Sequence, residues 1–287
     1  METLGDCNHH TIKTKKMKKN ILILAALLSA SCAKEKTNEG PGKEICFVTS
    51  GLEVEVETKV EEVTMENLES FNVAAITATN PDAIAWTAVA QRSGNRYHTG
   101  KYWPLTNPVY RFYASNFDIA IDSGAPCTIV DRSLDAVCGA MTNPSFNAES
   151  TTIVMRHIFS RIGRVSVTSE YGYTLSDVSV KLTSMRTGGK YSLKTFRWYD
   201  CTSRDNVALQ IGDNDILVVP DTAEIEVSYT MTKGDYSHSF VSTSNVTFME
   251  GKICDLNLNV KSDPAIPVRV IVSLAPWETR PLPVVLQ

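Results

Sequence analysis

Hydrophobic and polar residues alternate with a period of two through much of the chain. The segment 44–63, "EICFVTSGLEVEVETKVEEV", sets Val54, Val56 and Val60 among acidic and polar neighbours. Successive side chains of a strand point to opposite faces, so this alternation predicts a strand with one covered face and one wet face. The runs "SFNVAAITA" at 70–78 and "NPVYRFYASNF" at 107–117 predict two more strands.

The second half of the chain carries the same pattern more densely. Alternating runs with turn residues between them predict strands in the following segments: "RIGRVSVTSEYGYTLSDVSVKLTSM", "DILVVP", "AEIEVSYTM", "HSFVSTSNVTF", "ICDLNLNV" and "VRVIVSL". Many short strands at such spacing are typical of a β-sandwich or barrel. The segment 150–162, "STTIVMRHIFSRI", could form a helix, but its β-branched content favours a strand. The turn-rich segment 118–150 is expected to contain a short helical turn.

The two strand-rich blocks divide most naturally near residues 150–160. We therefore predict an all-β chain in which 44–157 form an N-terminal β-sandwich domain and 158–287 form a C-terminal one. Before them, "AKEKTNEGPGK" at 33–43 is polar and contains glycine and proline, so 32–43 is interpreted as a flexible tether. Residues 1–31 are interpreted as a leader.

The leader contains the elements of an export signal. In "KKMKKNILILAALLSASCAKEK", lysines precede an apolar run from Ile21 to Leu28, and small residues precede Cys32. A membrane-spanning helix needs about 20 apolar residues, so this run predicts a signal that is removed by cleavage between Ser31 and Cys32. The stretch resembles a bacterial lipoprotein signal, in which the cysteine receives acyl chains. An ordinary secretory signal with an incidental cysteine is the alternative.

Met17 is a better start for this signal than Met1. Residues 1–16 include Cys7, His9 and His10, but a segment that precedes a complete signal supports no metal site. The net charge of −4, with no basic stripe, argues against binding to nucleic acid. The remaining cysteines lie far apart without a C-x-x-C pair and are expected to be mostly buried free thiols: Cys46, Cys127, Cys138, Cys201 and Cys254.

Sequence motifs for catalysis are missing. The chain has no G-x-S-x-G, no H-E-x-x-H and no phosphate-binding glycine loop, so we predict no enzyme activity, no cofactor and no metal site. His98, His157 and His238 are far apart, and His157 is interpreted as structural. Asp205, Asp213 and Asp215 are a weak calcium candidate.

Aromatic residues cluster in the first half: Trp86, Tyr97, Tyr102, Trp103, Tyr110, Phe112 and Tyr113. Exposed rings could stack on sugars, whereas alternation with polar residues favours a position in the core. The alternative function for the chain is therefore a non-polymerising surface lipoprotein that binds glycans through these rings.

Five segments in this order resemble the fimbrillin family of surface lipoproteins of gut and oral Gram-negative anaerobes: "KYWPLTNPVYRFYAS", "IVMRHIFSRIGRVSV", "GGKYSLKTFRW", "VTFMEGKICDLNLNV" and "VSLAPWE". The matching family positions include Tyr102-Trp103-Pro104, His157 and Gly251-Lys252. The likeness extends over roughly residues 32–280. It implies two tandem transthyretin-like β-sandwich domains in a stalk, anchor or tip subunit of a fimbria.

The resemblance also implies a mode of assembly. In the family, a surface protease cuts after an Arg or Lys near the first strand, and the C-terminal strands of a neighbouring subunit fill the opened groove. Here the first strand would be "EICFVTSG", Lys59 would be the cut site, and "VRVIVSL" with "PLPVVLQ" would be the donor. Arg92 and Arg96 are later sites that would remove too much.

The partners implied are other fimbrial subunits, the outer membrane through the lipid on Cys32, and host or bacterial glycans or proteins. The location implied is the outer-membrane surface and the fimbria itself. "DTA" at 221–223 also resembles an acceptor site for bacterial O-glycosylation at Thr222.

Overall fold

The computed structural model describes residues 42–52, 63–170, 172–263 and 265–277. These residues form 19 strands and no α-helix. The strands up to residue 157 are β1 (Glu44–Ser50), β2 (Ser70–Thr77), β3 (Asn80–Ser93), β4 (Arg96–Tyr102), β5 (Tyr110–Ser115), β6 (Ile119–Asp122), β7 (Ala125–Asp131), β8 (Val137–Thr142) and β9 (Thr151–His157).

The later strands are β10 (Ser160–Ser169), β11 (Thr174–Arg186), β12 (Gly188–Ser192), β13 (Arg197–Tyr199), β14 (Arg204–Leu209), β15 (Gly212–Val218), β16 (Thr222–Lys233), β17 (Tyr236–Thr247), β18 (Lys252–Val260) and β19 (Arg269–Pro276). The all-β class predicted from the alternation is thereby confirmed. No helix among the described residues has the length and apolar character needed to cross a membrane.

Seven strands of the first half close into a barrel in the order β1-β4-β3-β2-β5-β8-β9. The closing strand is β1, which pairs antiparallel with β4 and parallel with β9. Alternate side chains of these strands point into the barrel, where Phe47, Phe71 and Phe112 share one apolar cluster with Trp103, the residue after β4. The strands of the first half therefore enclose an aromatic core of their own.

The second half contains two four-stranded sheets, β15-β10-β18-β19 and β14-β11-β16-β17. Ile162 and Leu256 of the first sheet lie in one apolar cluster with Leu182 and Ile225 of the second. Burial of one face of each sheet against the other is the arrangement of a β-sandwich.

A fourth sheet, β13-β12-β7-β6, draws strands from both halves, because β7 pairs antiparallel with β12. The cluster of apolar residues at this junction includes Phe159, Tyr191 and Trp277, all of them buried. The two β-rich blocks therefore share a sheet and a core.

The helical turn expected within 118–150 is wrong, because this segment forms β6, β7 and β8. Asp122 pairs with Ala125 across a two-residue connection in which Ser123 has φ 48° and Gly124 has φ 75°. Positive φ at both central residues matches the twist of a tight β-hairpin. The turn residues between β6 and β7 therefore form a hairpin turn.

The segment 150–162 forms β9 and the start of β10, so the choice of strand over helix is confirmed. The predicted strands at 70–78 and 107–117 correspond to β2 and β5. The alternation at Val54, Val56 and Val60 lies outside the described residues.

Candidate functional site

Strand β1 and the groove that holds it form the candidate site. Among the predicted site residues, Ser31, Cys32 and Lys59 lie outside the described residues, whereas β1 is described in full. We use the name β1 groove for the space between β4 and β9 together with the part of the barrel interior that β1 covers.

The backbone of β1 is paired on both sides. Cys46 lies opposite His98 and Phe47 lies opposite Tyr97 on β4, while Phe47 also pairs with Thr151 on β9. Loss of β1 would leave the facing edges of β4 and β9 unpaired. Unpaired backbone N–H and C=O groups at a sheet edge are costly when buried and readily accept another strand.

The side chains of β1 fill the barrel core. Ile45 and Phe47 are fully buried, as is Leu52 just after the strand. The ring of Phe47 lies 5.1 Å from that of Phe112 and 6.2 Å from that of Phe71, measured between centroids. Full burial of one such side chain contributes about 1.5–3 kcal/mol to the stability of the fold. Removal of β1 would lose this contribution and expose an apolar trough, formed by the side chains that Ile45 and Phe47 cover.

The beginning of β1 is held by hydrogen bonds from outside the ladder. The hydroxyl of Thr99 donates to the carbonyl of Ile45 at 2.6 Å, and the backbone N–H of Trp103 donates to the carbonyl of Lys43 at 3.0 Å. The N–H of Lys43 donates in turn to Asn147 Oδ1 at 2.7 Å. These contacts set the register in which β1 enters the groove.

A glycine at the end of β1 turns the chain. Gly51 has φ 89°, and a Cβ at this position would lie 2.5 Å from the carbonyl oxygen of Met155 on β9. L-residues adopt this φ only at a cost, and the neighbouring backbone cannot move away. Only glycine therefore lets the chain leave β1 so close to β9.

Three chemically active side chains meet on the β1–β4 pair. Nδ1 of His98 lies 3.0 Å from Glu44 Oε2 and 3.5 Å from Cys46 Sγ, and the N–H of Gly100 donates to Glu44 Oε1 at 2.8 Å. Burial acts to raise the pKa of Glu44, but the hydrogen bonds from His98 and Gly100 outweigh it and hold that pKa below its ordinary value. Burial first, and then the Glu44 carboxylate, raises the pKa of the Cys46 thiol.

Sequence reasoning missed this cluster. Cys46 and His98 lie on strands that are distant in sequence, and no spacing motif joins them. Only the register of β1 on β4 places them side by side, so the sequence carries no signal that could have found the site.

The segments that resemble the fimbrillin family converge at the junction of the two halves. The backbone N–H of Trp277 donates to the carbonyl of Gly251 at 3.2 Å, and the N–H of Gly251 donates to that of Phe159 at 2.9 Å. The indole N–H of Trp198 donates to the carbonyl of Ile158 at 2.9 Å. These motif residues therefore build the shared core and stabilise the fold.

Tyr191 and Glu250 form a polar pair in the same region. The Tyr191 hydroxyl donates to Glu250 Oε1 at 2.6 Å. Burial is the main cause that raises the pKa of Tyr191, and the nearby carboxylate adds to it. Burial also raises the pKa of Glu250, against the opposing effect of the Tyr191 hydrogen bond.

The aromatic residues considered for glycan stacking lie mainly in the core. Trp103, Tyr97 and Phe112 are buried, and Trp86 is partly buried against the same cluster. Tyr102 is the one of the seven that is exposed, at 44%. The prediction that these rings pack in the core is confirmed, and they form no exposed platform.

The remaining polar candidates are dispersed. Asp215 pairs with Arg161 at 2.6 Å, Asp205 pairs with Arg132 at 3.3 Å, and neither joins Asp213 in a metal-binding group within the described part of the chain. Thr222 is exposed at the start of β16, where its hydroxyl lies 2.9 Å from that of Thr247. Its glycosylation stays a prediction.

The five cysteines of the described residues are free, and four of them are buried. The exception is Cys201, which is half-buried. Burial raises the pKa of Cys138 to about 12. The prediction of mostly buried free thiols is confirmed.

The candidate donor strand β19 lies at the edge of its sheet. Its register with β18 runs from Lys252–Pro276 to Asn259–Arg269. Ile271 and Leu274 are 45% and 44% exposed, while Trp277, the next residue after the strand, is 1% exposed. The described C-terminal end is therefore fastened by a buried indole.

No protein-family model matches the chain, and no curated protein matches it. Among solved structures, the chain is similar to a protein of Parabacteroides distasonis described as a candidate cell adhesion protein, with a TM-score of 0.57 and 12% identity over 86% of this chain and 99% of the other. It is similar to a fimbrial protein of Bacteroides vulgatus, with a TM-score of 0.54 and 11% identity over 82% and 99%.

A protein of Bacteroides ovatus, also described as a candidate cell adhesion protein, matches with a TM-score of 0.51 and 11% identity over 84% of this chain and 100% of the other. At such identities the likeness establishes the fold. The structures that share it include a fimbrial protein, in agreement with the resemblance of the motifs to the fimbrillin family.

Proposed function

We propose that the chain is a non-enzymatic subunit of a cell-surface fimbria, with a structural or adhesive role, and that it assembles by strand exchange. The observation that carries the proposal is the position of β1, which closes the barrel and is covalently joined to the later strands only through 53–62. Cleavage after Lys59 would cut this connection and leave β1 held by non-covalent contacts alone.

The structure of the groove supports exchange over simple loss. Removal of β1 exposes two strand edges together with the sites of Ile45 and Phe47 in the core. A strand from a neighbouring subunit would satisfy the backbone groups by β-augmentation and cover the apolar trough. Donation from the end of one subunit to the start of the next is a head-to-tail contact, which builds an open filament.

The positions of Arg92 and Arg96 favour Lys59 as the cut site. Arg92 pairs with Tyr97 in the β3–β4 ladder, and its guanidinium donates to the carbonyl of Met65 at 2.8 Å and to that of Glu66 at 2.6 Å. Arg96 starts β4 and pairs with Ser93. A protease needs an extended segment free of such a ladder, and cleavage at either site would also remove β2 and β3.

The burial of Trp277 bears on which segment is donated. Donation of β19 itself would break its ladder with β18 and expose this indole. The residues after Trp277, which include "PLPVVLQ", would leave both contacts intact. We propose that this tail supplies the donated strand, that Cys32 carries the lipid anchor, and that the outer membrane surface is the location.

The glycan-binding alternative rested on exposed aromatic rings. The burial of Trp103 and of most of its aromatic neighbours argues against a sugar platform built from these residues. Adhesion to another protein or to a glycan through a different surface stays within the proposed role.

The test treats the folded chain with an Arg/Lys-specific protease under native conditions, followed by intact mass and an unboiled denaturing gel. We expect a cut after Lys59 and a ladder of resistant oligomers. Lys59→Gln should abolish both, while Lys101→Gln, at an exposed position on β4, should abolish neither. A stable uncut monomer, or an unchanged ladder from Lys59→Gln, would contradict the proposal. A cut only after Lys43 would also contradict it, because β1 would then stay joined to the rest of the chain.

A further inference from the structure

We propose that Glu44, Cys46 and His98 form a binding site for Zn²⁺ on the outer face of the barrel. One ligand atom from each residue lies within 4.8 Å of the others. The atoms are Glu44 Oε2, Cys46 Sγ and His98 Nδ1, with 3.0 Å between the oxygen and the nitrogen and 3.5 Å between the sulfur and the nitrogen.

These separations fit one tetrahedral zinc ion. With Zn–S about 2.3 Å and Zn–N and Zn–O about 2.0–2.1 Å, tetrahedral angles place N and O about 3.3 Å apart and S and N about 3.6 Å apart. The distances in the structure differ from these by only a few tenths of an ångström. With the oxygen and the sulfur also within 4.8 Å of each other, a metal ion could be bound through small movements of these three side chains.

The strands position the ligands. Ile45 and Phe47 point into the barrel core, so Glu44 and Cys46, which alternate with them, lie on the outer face of β1. His98 is the direct partner of Cys46 on β4, and a register irregularity lies between Glu44 and Cys46. The strand pair therefore holds all three side chains on one face.

A second layer of contact orients the carboxylate. The backbone N–H of Gly100 donates to Glu44 Oε1, which leaves Oε2 directed toward His98. Outer hydrogen bonds of this type fix the orientation of metal ligands. The His98 side chain is 43% exposed and that of Glu44 is 26% exposed, so water can occupy the fourth position of the ion.

The donor set selects the class of metal. A thiolate and an imidazole favour zinc and similar transition metals over calcium or magnesium, which prefer oxygen ligands. The thiolate and the carboxylate together balance the two charges of the ion. The nearby cations Lys43 and Arg96 each lie 3.7 Å from a carboxylate oxygen of Glu149, which reduces their repulsion of a metal.

Because two ligands belong to β1 and one to β4, a bound ion would join the closing strand to the barrel. Anything that binds the folded state alone stabilises it by an amount that rises with the logarithm of its concentration relative to Kd. The further consequence that zinc delays the release of β1 rests on the proposed function, whereas the site itself does not.

The experiment titrates the full chain with Zn²⁺ alone by calorimetry and measures the Tm with and without the ion. Cys46→Ser and His98→Gln are compared with wild type and with the control His238→Gln, which changes an exposed histidine on β17. Cys7, His9, His10 and Cys32 are present in every protein and contribute the same background. A parallel titration with Co²⁺ reports thiolate ligation by a charge-transfer absorption.

We expect wild type and His238→Gln to bind one equivalent more than Cys46→Ser and His98→Gln and to show a larger zinc-dependent rise in Tm. Their cobalt–thiolate band should be stronger than the background band that Cys46→Ser retains. Loss of a ligand should weaken binding by more than the roughly 10- to 100-fold that follows loss of an outer hydrogen-bond partner. Equal stoichiometry in all four proteins would overturn the proposal.

His98→Gln keeps this test decisive if the buried Cys46→Ser variant fails to fold, because the His98 side chain is partly exposed. The protease assay of the proposed function is run with chelator and without metal. A negative zinc result therefore leaves the assembly result standing, and the converse also holds.

Discussion

The imidazole of His157 lies flat against the indole of Trp277, with 4.3 Å between the ring centroids and 4° between the ring planes. His157 ends β9, the barrel strand that pairs with β1, and Trp277 follows β19. The Asp135 carboxylate lies 2.9 Å from His157 Nδ1 and also accepts a hydrogen bond from the N–H of Val63, where the chain returns after 53–62. The His157–Trp277 stack and the Asp135 carboxylate together connect β9, the segment after the proposed cut and the residue that follows β19.

Trp277→Ala should lower the free energy of unfolding by about 3–5 kcal/mol, the usual cost of replacing a buried aromatic side chain with alanine. The indole is 1% exposed, stacks on His157, and has the Arg161 guanidinium 5.8 Å from its ring centroid. Urea denaturation measures the change. Val241→Ala, at a position that is 65% exposed, should change the stability by less than about 0.5 kcal/mol, and equal effects for the two variants would refute the anchoring role of Trp277.

Asp135→Ala should destabilise the fold by about 1–3 kcal/mol, because it leaves the buried Nδ1 of His157 without its hydrogen-bond partner. The side chains of Asp135 and His157 are 1% and 0% exposed. A double-mutant cycle with His157→Ala should give a coupling energy of about 0.5–3 kcal/mol. Strict additivity of the two changes would show that the pair does not act as a unit.

The exposed pair of Lys43 and Glu149 provides the comparison for that cycle, with side chains 53% and 70% exposed. Glu149→Ala should cost at most about 1 kcal/mol, as is usual for ion pairs in contact with solvent.

Gly51→Ala should destabilise the fold by more than Gly94→Ala. Both glycines have positive φ, 89° and 63°, so both substitutions incur backbone strain of about 1–3 kcal/mol. A Cβ at Gly51 would also lie 2.5 Å from the carbonyl oxygen of Met155, whereas nothing lies within 4 Å of one at Gly94. Thermal unfolding of the two variants tests this prediction. An equal loss in Tm would mean that β1 and β9 move apart to accommodate the added Cβ.

The free energy of unfolding should fall as pH rises above 4.5, the ordinary pKa of a glutamate side chain. The reason is that burial raises the pKa of the Glu250 carboxyl in the folded chain. A raised pKa means that the folded state holds its proton when the unfolded state has lost it. The contribution of the neutral form is fully present below 4.5 and is lost as pH rises through the folded pKa.

Glu250→Gln cannot ionise, so its stability relative to wild type should increase with pH across that window. Urea denaturation of both proteins between acidic and neutral pH measures the difference. Glu149→Gln, at an exposed carboxylate, should follow the wild-type curve. Parallel curves for wild type and Glu250→Gln would contradict the predicted linkage.

The tight hairpin between β6 and β7 shows where sequence reasoning fell short. Its turn residues were visible at Ser123 and Gly124, but the same composition also fits a helical turn, and only the pairing of Asp122 with Ala125 distinguishes the two. The alternation in β9 and β16, by contrast, reproduces the buried and exposed faces residue by residue.

The sequence by itself determined the all-β class, the positions of most strands and the burial of the aromatic residues, because the period of two is a local property that each strand carries. The tertiary structure decided that β1 closes the barrel, that β7 joins β12, and that His157 meets Trp277. It also placed Cys46 beside His98. These relationships depend on which strands pair and in which register, and residues far apart in the chain set that choice only when the whole core is assembled.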